Sequence, residues 1–292
     1  MSSFEVVCMS NSPLGHLERF VAHYRTLGAA RVRIFYDGEI LPSALDCEIV
    51  LCNEAFWLPL GENRSVEDKQ RYVYDLAYRT ATHAWILVVD VDELVLGDRR
   101  LDEYLASVDV QIDMVRFISA EAIFSSGDDI GSDFGATSFR LPYPSCFSIP
   151  FSHVLYPGLG QVFIRGLLGH SRGKYAVRTG YPDISVNIHE ATRAGTMFPE
   201  VNATTGRRDG RFFLAHFDAI SFAHWQEKWR RRLLKNDTRE MGAKRDRQME
   251  LFRVYDAKGC SEALFRRLYG VGGMKLLLMK ALRLAFSRKP AC

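Results

Sequence analysis

The stretch Trp85-Ile86-Leu87-Val88-Val89-Asp90-Val91-Asp92-Glu93 runs five apolar residues, three of them β-branched, straight into three acids. A run of that kind reads as a strand buried on both faces. In an extended segment side chains alternate at period two, so Asp90 and Asp92 are expected to point the same way and Val91 back into the protein. Carboxylates just past a buried strand stand where open α/β sheets bind ligands. Hard carboxylate oxygens suit Mg²⁺ or Mn²⁺, ions usually held by one or two carboxylates plus substrate phosphates. The competing reading is an acidic loop that caps the next helix.

Working outward, His23-Tyr24-Arg25-Thr26-Leu27-Gly28 precedes Arg31-Val32-Arg33-Ile34-Phe35-Tyr36-Asp37, and Phe124-Ser125-Ser126-Gly127 and His216-Phe217-Asp218-Ala219-Ile220-Ser221 follow later. With the acid stretch, these resemble the motifs of glycosyltransferases of the GT-A fold, in the family-2-like and family-92-like branch. Its members carry an Asp-X-Asp motif, here Asp90-Val91-Asp92. The matches span about residues 5 to 230. There are departures: Glu121 falls where the family commonly has Trp, and Ser125 replaces a Gly.

The resemblance implies an α/β, GT-A-like (Rossmann-like), mostly parallel sheet flanked by helices. It implies a nucleotide-diphosphate sugar donor, UDP-sugar favoured. Asn11, Asp37, Gln70, Arg71, Asp90 and Lys174 would bind the donor: an acid at the end of the second strand contacts the nucleoside, a Gln recurs near the start of the helix that Ser65 opens, and Lys174 and Arg178 resemble a basic segment. Metal ligands would be Asp90, Asp92 and a histidine. His216 matches the family's late metal ligand, and His189 is its competitor.

The chain has 292 residues, 47% hydrophobic and 25% charged, enough for one large α/β domain or two small ones. A net charge of +3 is too small to argue for nucleic acid, although basic residues crowd the region after Trp225. The six cysteines form no C-x-x-C pair, which argues against structural zinc and for free thiols in a reducing, cytoplasmic setting. Residues 1–9 have no charged region followed by a long apolar core, so no signal peptide is expected.

In order, Phe4 to Met9 reads as a strand, Ser12 as an N-cap with Pro13 at the first helical position, and Leu14 to Leu27 as a helix ended by Gly28. Arg31 to Tyr36 and Cys47 to Cys52 are further strands. Ser65 with Asp68 is a capping-box start, and in the helix it opens Lys69 is expected to be solvated. Met114 to Ile118 is a strand, and Ser119 to Pro150, rich in Gly, Ser, Asp and Pro, reads as a long functional loop. Gly160 to Ile164, Lys174 to Arg178, Ile184 to His189 and Arg211 to His216 read as strands. From Phe222 a stripe with Trp225, Trp229 and Leu233 reads as a packed helix. Gly273 to Arg288 reads as one basic amphipathic helix, suited to an anionic membrane surface, to a partner helix or to plain packing. It is expected to be removable after Tyr269 without unfolding the core.

The expected partition is a GT-A-like catalytic domain over residues 1–220 and a basic helical extension over 221–292, facing acceptor or membrane. The expected activity is metal-dependent transfer of a sugar to a glycan, glycolipid or other hydroxyl acceptor, as in bacterial-type polysaccharide or glycoconjugate synthesis, by a cytoplasmic protein that contacts the inner face of the cell membrane. The rivals are a nucleotidyltransferase on a related fold and a non-catalytic carbohydrate- or membrane-binding protein. If the transfer inverts the anomeric centre, a general base is needed. Glu121 is the first candidate because it follows the strand Met114–Ile118. Asp128 and Asp129 are the others, and Glu121 paired with Arg140 is the competing structural role.

Overall fold

The computed structural model describes residues 3–39, 45–62, 64–204, 211–235 and 242–288. The elements run β1 Phe4–Ser10, α1 Leu14–Thr26, β2 Arg31–Tyr36, β3 Glu48–Leu51, α2 Glu54–Trp57, α3 Val66–Arg79, β4 Trp85–Val88, β5 Glu93–Gly97, α4 Leu101–Ala106 and β6 Met114–Phe117. There follow β7 Ser119–Ser125, β8 Ser138–Arg140, α5 Ser148–Leu155, β9 Lys174–Arg178, β10 Ile184–Val186, β11 Ala191–Arg193, β12 Thr196–Met197, β13 Glu200–Asn202 and β14 Phe212–His216. The chain closes with α6 Phe222–Lys235, α7 Ala243–Ala257, α8 Ser261–Tyr269, β15 Gly270–Val271, α9 Gly273–Ala281 and β16 Ala285–Ser287. Two compact units result: one from Met1–Ile118 with Arg172–Leu214, the other from Ser119–Ser171 with Ala215–Lys289.

The first unit is a mixed α/β layer built on a seven-stranded sheet in the order β13-β6-β9-β4-β1-β2-β3. β4, β1, β2 and β3 are parallel, and β9 runs antiparallel between β4 and β6. From β1 the chain winds outward to β2 and β3, then returns through α3 to β4 on the other side of β1. Right-handed crossovers in opposite directions put α1 and α3 on opposite faces. The reversal between β1 and β4 is a topological switch point, whose carboxyl-edge crevice is where open α/β sheets take ligands. Val73, Tyr74, Ala77 and Tyr78 of α3 close one core over Val7, Phe35, Ile86, Val88, Tyr175 and Val177. The Ser65 side chain accepts the Asp68 N–H while Asp68 accepts the Ser65 N–H, the expected capping box, a device worth about 1 kcal/mol. At α1, however, Pro13 itself is the N-cap and no side chain caps the helix; the Ser10 hydroxyl, not that of Ser12, takes a nearby N–H, that of Ser12 at 3.0 Å.

The second unit departs most from the sequence expectation. The expected loop after Ser119 begins as strand β7, all but its last residue buried, and it pairs antiparallel with β8. The Gly, Ser, Asp and Pro content of the segment that follows is what disguised it. The expected strand at 160–164 is instead a 3-10 turn over Gly160–Val162, followed by a tight reversal in which Ile164 and Leu167 exchange backbone hydrogen bonds of 2.7 and 3.0 Å. Arg165 and Gly166 make that reversal at φ +52° and +82°. The single helix expected over 273–288 ends at Ala281, and β16 pairs antiparallel with β8. An available sheet edge thus overrides a helical apolar spacing. Leu276 and Met279 of α9 are buried, while Met274, Leu277, Leu278 and Leu282 are exposed, and no described helix is long and apolar enough to cross a membrane. Trp225 and Trp229 of α6 are buried against Phe252, with Trp225 also meeting Phe265. Gln248 of α7 donates to the Val162 and Leu168 carbonyls. The region after residue 221 therefore shares its core with residues 119–171, across the expected boundary at 220.

Candidate functional site

The site is built at the carboxyl edge of β1, β2 and β4. β4 is apolar and wholly buried, and the Val89 N–H extends its ladder to the Val7 carbonyl. The three acids that follow do not stay extended. The Glu93 N–H closes a turn on the Asp90 carbonyl at 3.0 Å, and the Glu93 carboxylate accepts the Asp90 N–H at 2.9 Å. Asp92 stands half-buried at the turn's tip, and Val91 is half-buried beside it rather than core. Strand alternation therefore fails at Val91, because a carboxylate capping its own turn replaces the ladder.

Asp90 is the hub. One of its oxygens accepts from Gln70 at 3.0 Å and from the Tyr74 hydroxyl at 3.2 Å, and the other meets the Lys174 ammonium at 2.9 Å. Lys174 comes from the antiparallel β9, is fully buried, and also lies 3.6 Å from Glu93. Burial alone would pull its ammonium down, but Asp90 and Glu93 outweigh that and hold it above the usual lysine range. Burial, with Asp90 adding to it, pushes the Tyr74 phenol far up, so Tyr74 stays a neutral donor. Gln70, expected at the donor, donates to Asp90. Tyr74 and Glu93 were not among the expected site residues. Tyr74 lies four residues after Gln70 on α3, a spacing that puts both on one face.

A second cluster sits at the end of β2. Asp37 accepts from Lys69 at 2.8 Å and from the Trp57 indole at 2.9 Å, and the Lys69 ammonium lies 4.8 Å from the Trp57 ring centroid. Lys69 is therefore an ion-pair partner, not the solvated residue expected. The Asp37 N–H bonds the Ser10 carbonyl, which ties the end of β2 to that of β1, where Asn11 is exposed. Arg71 is exposed on α3, 3.7 Å from Asp68. His189, also in this unit, has Nδ1 3.0 Å from the Gly173 carbonyl.

The remaining candidates lie in the second unit. Glu121 is 1% exposed. It accepts from Arg140 at 3.1 and 3.3 Å and from the Leu168 and Gly169 N–H groups at 2.7 and 3.3 Å. Those bonds absorb a carboxylate's accepting capacity, and they put Glu121 in a buried ion pair with Arg140, the competing structural role. Asp128 accepts from Ser125 and Thr137 and closes its loop. Asp129 is exposed and bonds Gly131 and Ser132. His216 ends β14, close enough to Gly169 that a side-chain carbon there would come within 2.9 Å of the imidazole.

Among the described residues, no three His, Cys, Asp or Glu side chains converge on a point that could hold a metal. The donor set does fit an ion held by one carboxylate and a bound diphosphate, a common arrangement for Mg²⁺.

No protein-family model matches the chain, and no curated protein matches it. Among solved structures it is similar to glucosyl-3-phosphoglycerate synthase from Mycobacterium tuberculosis in complex with Mn²⁺, UDP and glucosyl-3-phosphoglycerate, at 15% identity and a TM-score of 0.31, over 61% of this chain and 57% of that one. It is likewise similar to a crystallised mycobacterial protein at 15% identity and a TM-score of 0.30, over 61% and 53%. The chain thus matches little more than half the length of either. The α/β architecture stands on its own hydrogen-bond ladders.

Proposed function

We propose that the first unit binds a nucleotide-diphosphate sugar, with UDP-sugar favoured, and that the chain is a metal-dependent glycosyltransferase. The observation that carries this is the strand-end group at the switch point, Asp90, Asp92 and Glu93 beside the buried Lys174. Asp37, which accepts from Lys69 and Trp57 one strand over, would contact the nucleoside in this reading. Asp90 meets Gln70, Tyr74 and Lys174, and Asp92, half-buried at the tip of the turn, would face the donor diphosphate together with Mn²⁺ or Mg²⁺. When bound, the ion would offset the negative charge that gathers on the departing nucleotide. Lys174 adds a fixed positive charge in a site shielded from water. The acceptor in this reading is a glycan or glycolipid hydroxyl. The exposed Met274, Leu277 and Leu278 beside Lys280 offer contact with an anionic membrane, and flotation with anionic vesicles tests that.

The test is Asp92→Asn, with sugar-nucleotide transfer and Mn²⁺-dependent nucleotide binding measured separately. Both should be lost while the unfolding midpoint stays within about 0.5 kcal/mol, as for a surface change. Full transfer by this variant in EDTA would reject the metal reading. The tight occupation of Asp90 favours a second reading, in which Lys174 meets the diphosphate charge without a metal. Transfer that ignores EDTA but is lost in Lys174→Met would select it. Binding without transfer would point to a carbohydrate-binding protein, and nucleotidyl transfer to the related enzyme class.

A further inference from the structure

The second unit contains a cavity of about 240 Å³ that none of the donor-binding residues touches. Arg165, Lys244, Arg247 and His153 line it together with Ser152 and Gln161, and no carboxylate lines it among the described residues. Three basic side chains gathered around one concavity repel one another, and an anion among them would relieve that repulsion.

The frame of this cavity is fixed. The Lys244 ammonium donates to the Phe163 carbonyl at 2.8 Å, and an ammonium carries three donors. The Arg165 Nε donates to the Tyr143 carbonyl at 3.0 Å, and the Tyr143 N–H donates back to the Arg165 carbonyl at 2.7 Å. Gln248, one turn along α7 from Lys244, ties that helix to the 162–168 segment. Gly160 lets the chain pass His153 closely, since a side-chain carbon there would lie 2.9 Å from the imidazole.

Arg165 holds φ +52°. A bulky residue in the left-handed region is strained, and such strain persists where the surroundings over-determine it, often at binding sites. Glycine would relieve the strain at this reversal but would remove the guanidinium. A fork of guanidinium donors suits the oxygens of a phosphate.

We propose that this cavity is a binding site for a phosphomonoester dianion, either free phosphate or the phosphate of a small phosphorylated compound. Its concave shape takes a small molecule rather than a lipid surface. The site goes beyond the donor-binding reading and needs no glycosyl transfer, so the two can fail separately.

The experiment is calorimetry on the full chain at constant ionic strength, with inorganic phosphate, glycerol 3-phosphate and glycerol as probes. A parallel arm uses phosphatidylcholine vesicles with and without phosphatidic acid. Saturable binding of the two phosphates, with glycerol silent, is expected. Arg247→Gln and Arg165→Gln should each weaken it by about tenfold or more, as for loss of a charge-assisted hydrogen bond. Arg247 is exposed, so that variant should fold like the wild type, as a matching urea midpoint would show. No saturable binding of either phosphate, unchanged affinity in Arg247→Gln, or uptake by phosphatidic acid vesicles alone would each overturn the site.

Discussion

At the scale of single residues, the sequence made several acids look equivalent, and their partners separate them. Glu121 and Asp90 both follow or interrupt an apolar run. Glu121 is enclosed with Arg140, whose guanidinium also bonds the Tyr156 hydroxyl and the Leu268 carbonyl. Asp90 keeps a half-exposed carboxylate at a sheet edge. Removing one partner of a buried ion pair strands the other charge and costs about 3–5 kcal/mol. Glu121→Gln should therefore lose stability on that order in urea unfolding. A base would show the opposite pattern, with the fold intact and transfer down by ~10²–10⁴. Lys69 makes the same point in reverse: a position that reads as a solvated helix face carries a paired cation, because Asp37 arrives from a strand more than thirty residues away.

At the scale of elements, α9 shows how a pattern is redirected by what it meets. Its apolar residues are split between a buried pair, Leu276 and Met279, and an exposed set. Lys275 lies between them, its ammonium 3.6 Å from the centroid of the Tyr156 ring. Burial, with the nearby Arg140 adding to it, pushes Lys275 down to about 8 from its ordinary 10.5. A lysine whose folded value is lowered binds fewer protons in the native state than in the unfolded state between those two values. Its penalty is full below about pH 8 and fades as pH rises towards 10.5. The wild type should therefore gain stability across that window relative to Lys275→Met. Urea midpoints of both proteins from pH 7 to pH 10.5 check this, and parallel curves would show that Lys275 does not titrate there.

At the scale of the whole molecule, the two units are not the two halves of the chain. The second unit takes residues from the middle and from the end, so its C-terminal part is core rather than appendage. Truncation after Tyr269 removes the buried Leu276, Met279, Leu284 and Ala285, the β16 partner of β8, and the stacking of Phe286 on Phe139. Each buried Leu or Met contributes roughly 1.5–3 kcal/mol, against a total stability of about 5–15 kcal/mol. The truncated chain should show a lowered unfolding midpoint and bind a hydrophobic dye. An unchanged midpoint would restore the reading of the tail as a removable extension.

What the sequence determined by itself is local and periodic. β1, α1, β2, β3, α3 and β4 were legible from apolar runs, helical spacing and the Ser65–Asp68 box, because each follows from a few neighbouring residues. The placement of Asp90, Asp92 and Asp37 at strand ends followed from the same runs. Only the tertiary structure decided that Lys174 arrives on an antiparallel strand to pair with Asp90, that Glu121 is sealed by Arg140, and that residues 285–287 become a strand. Each of those outcomes depends on a partner tens of residues away, on burial that makes an unpaired charge costly, and on a free sheet edge. A local pattern encodes none of these three.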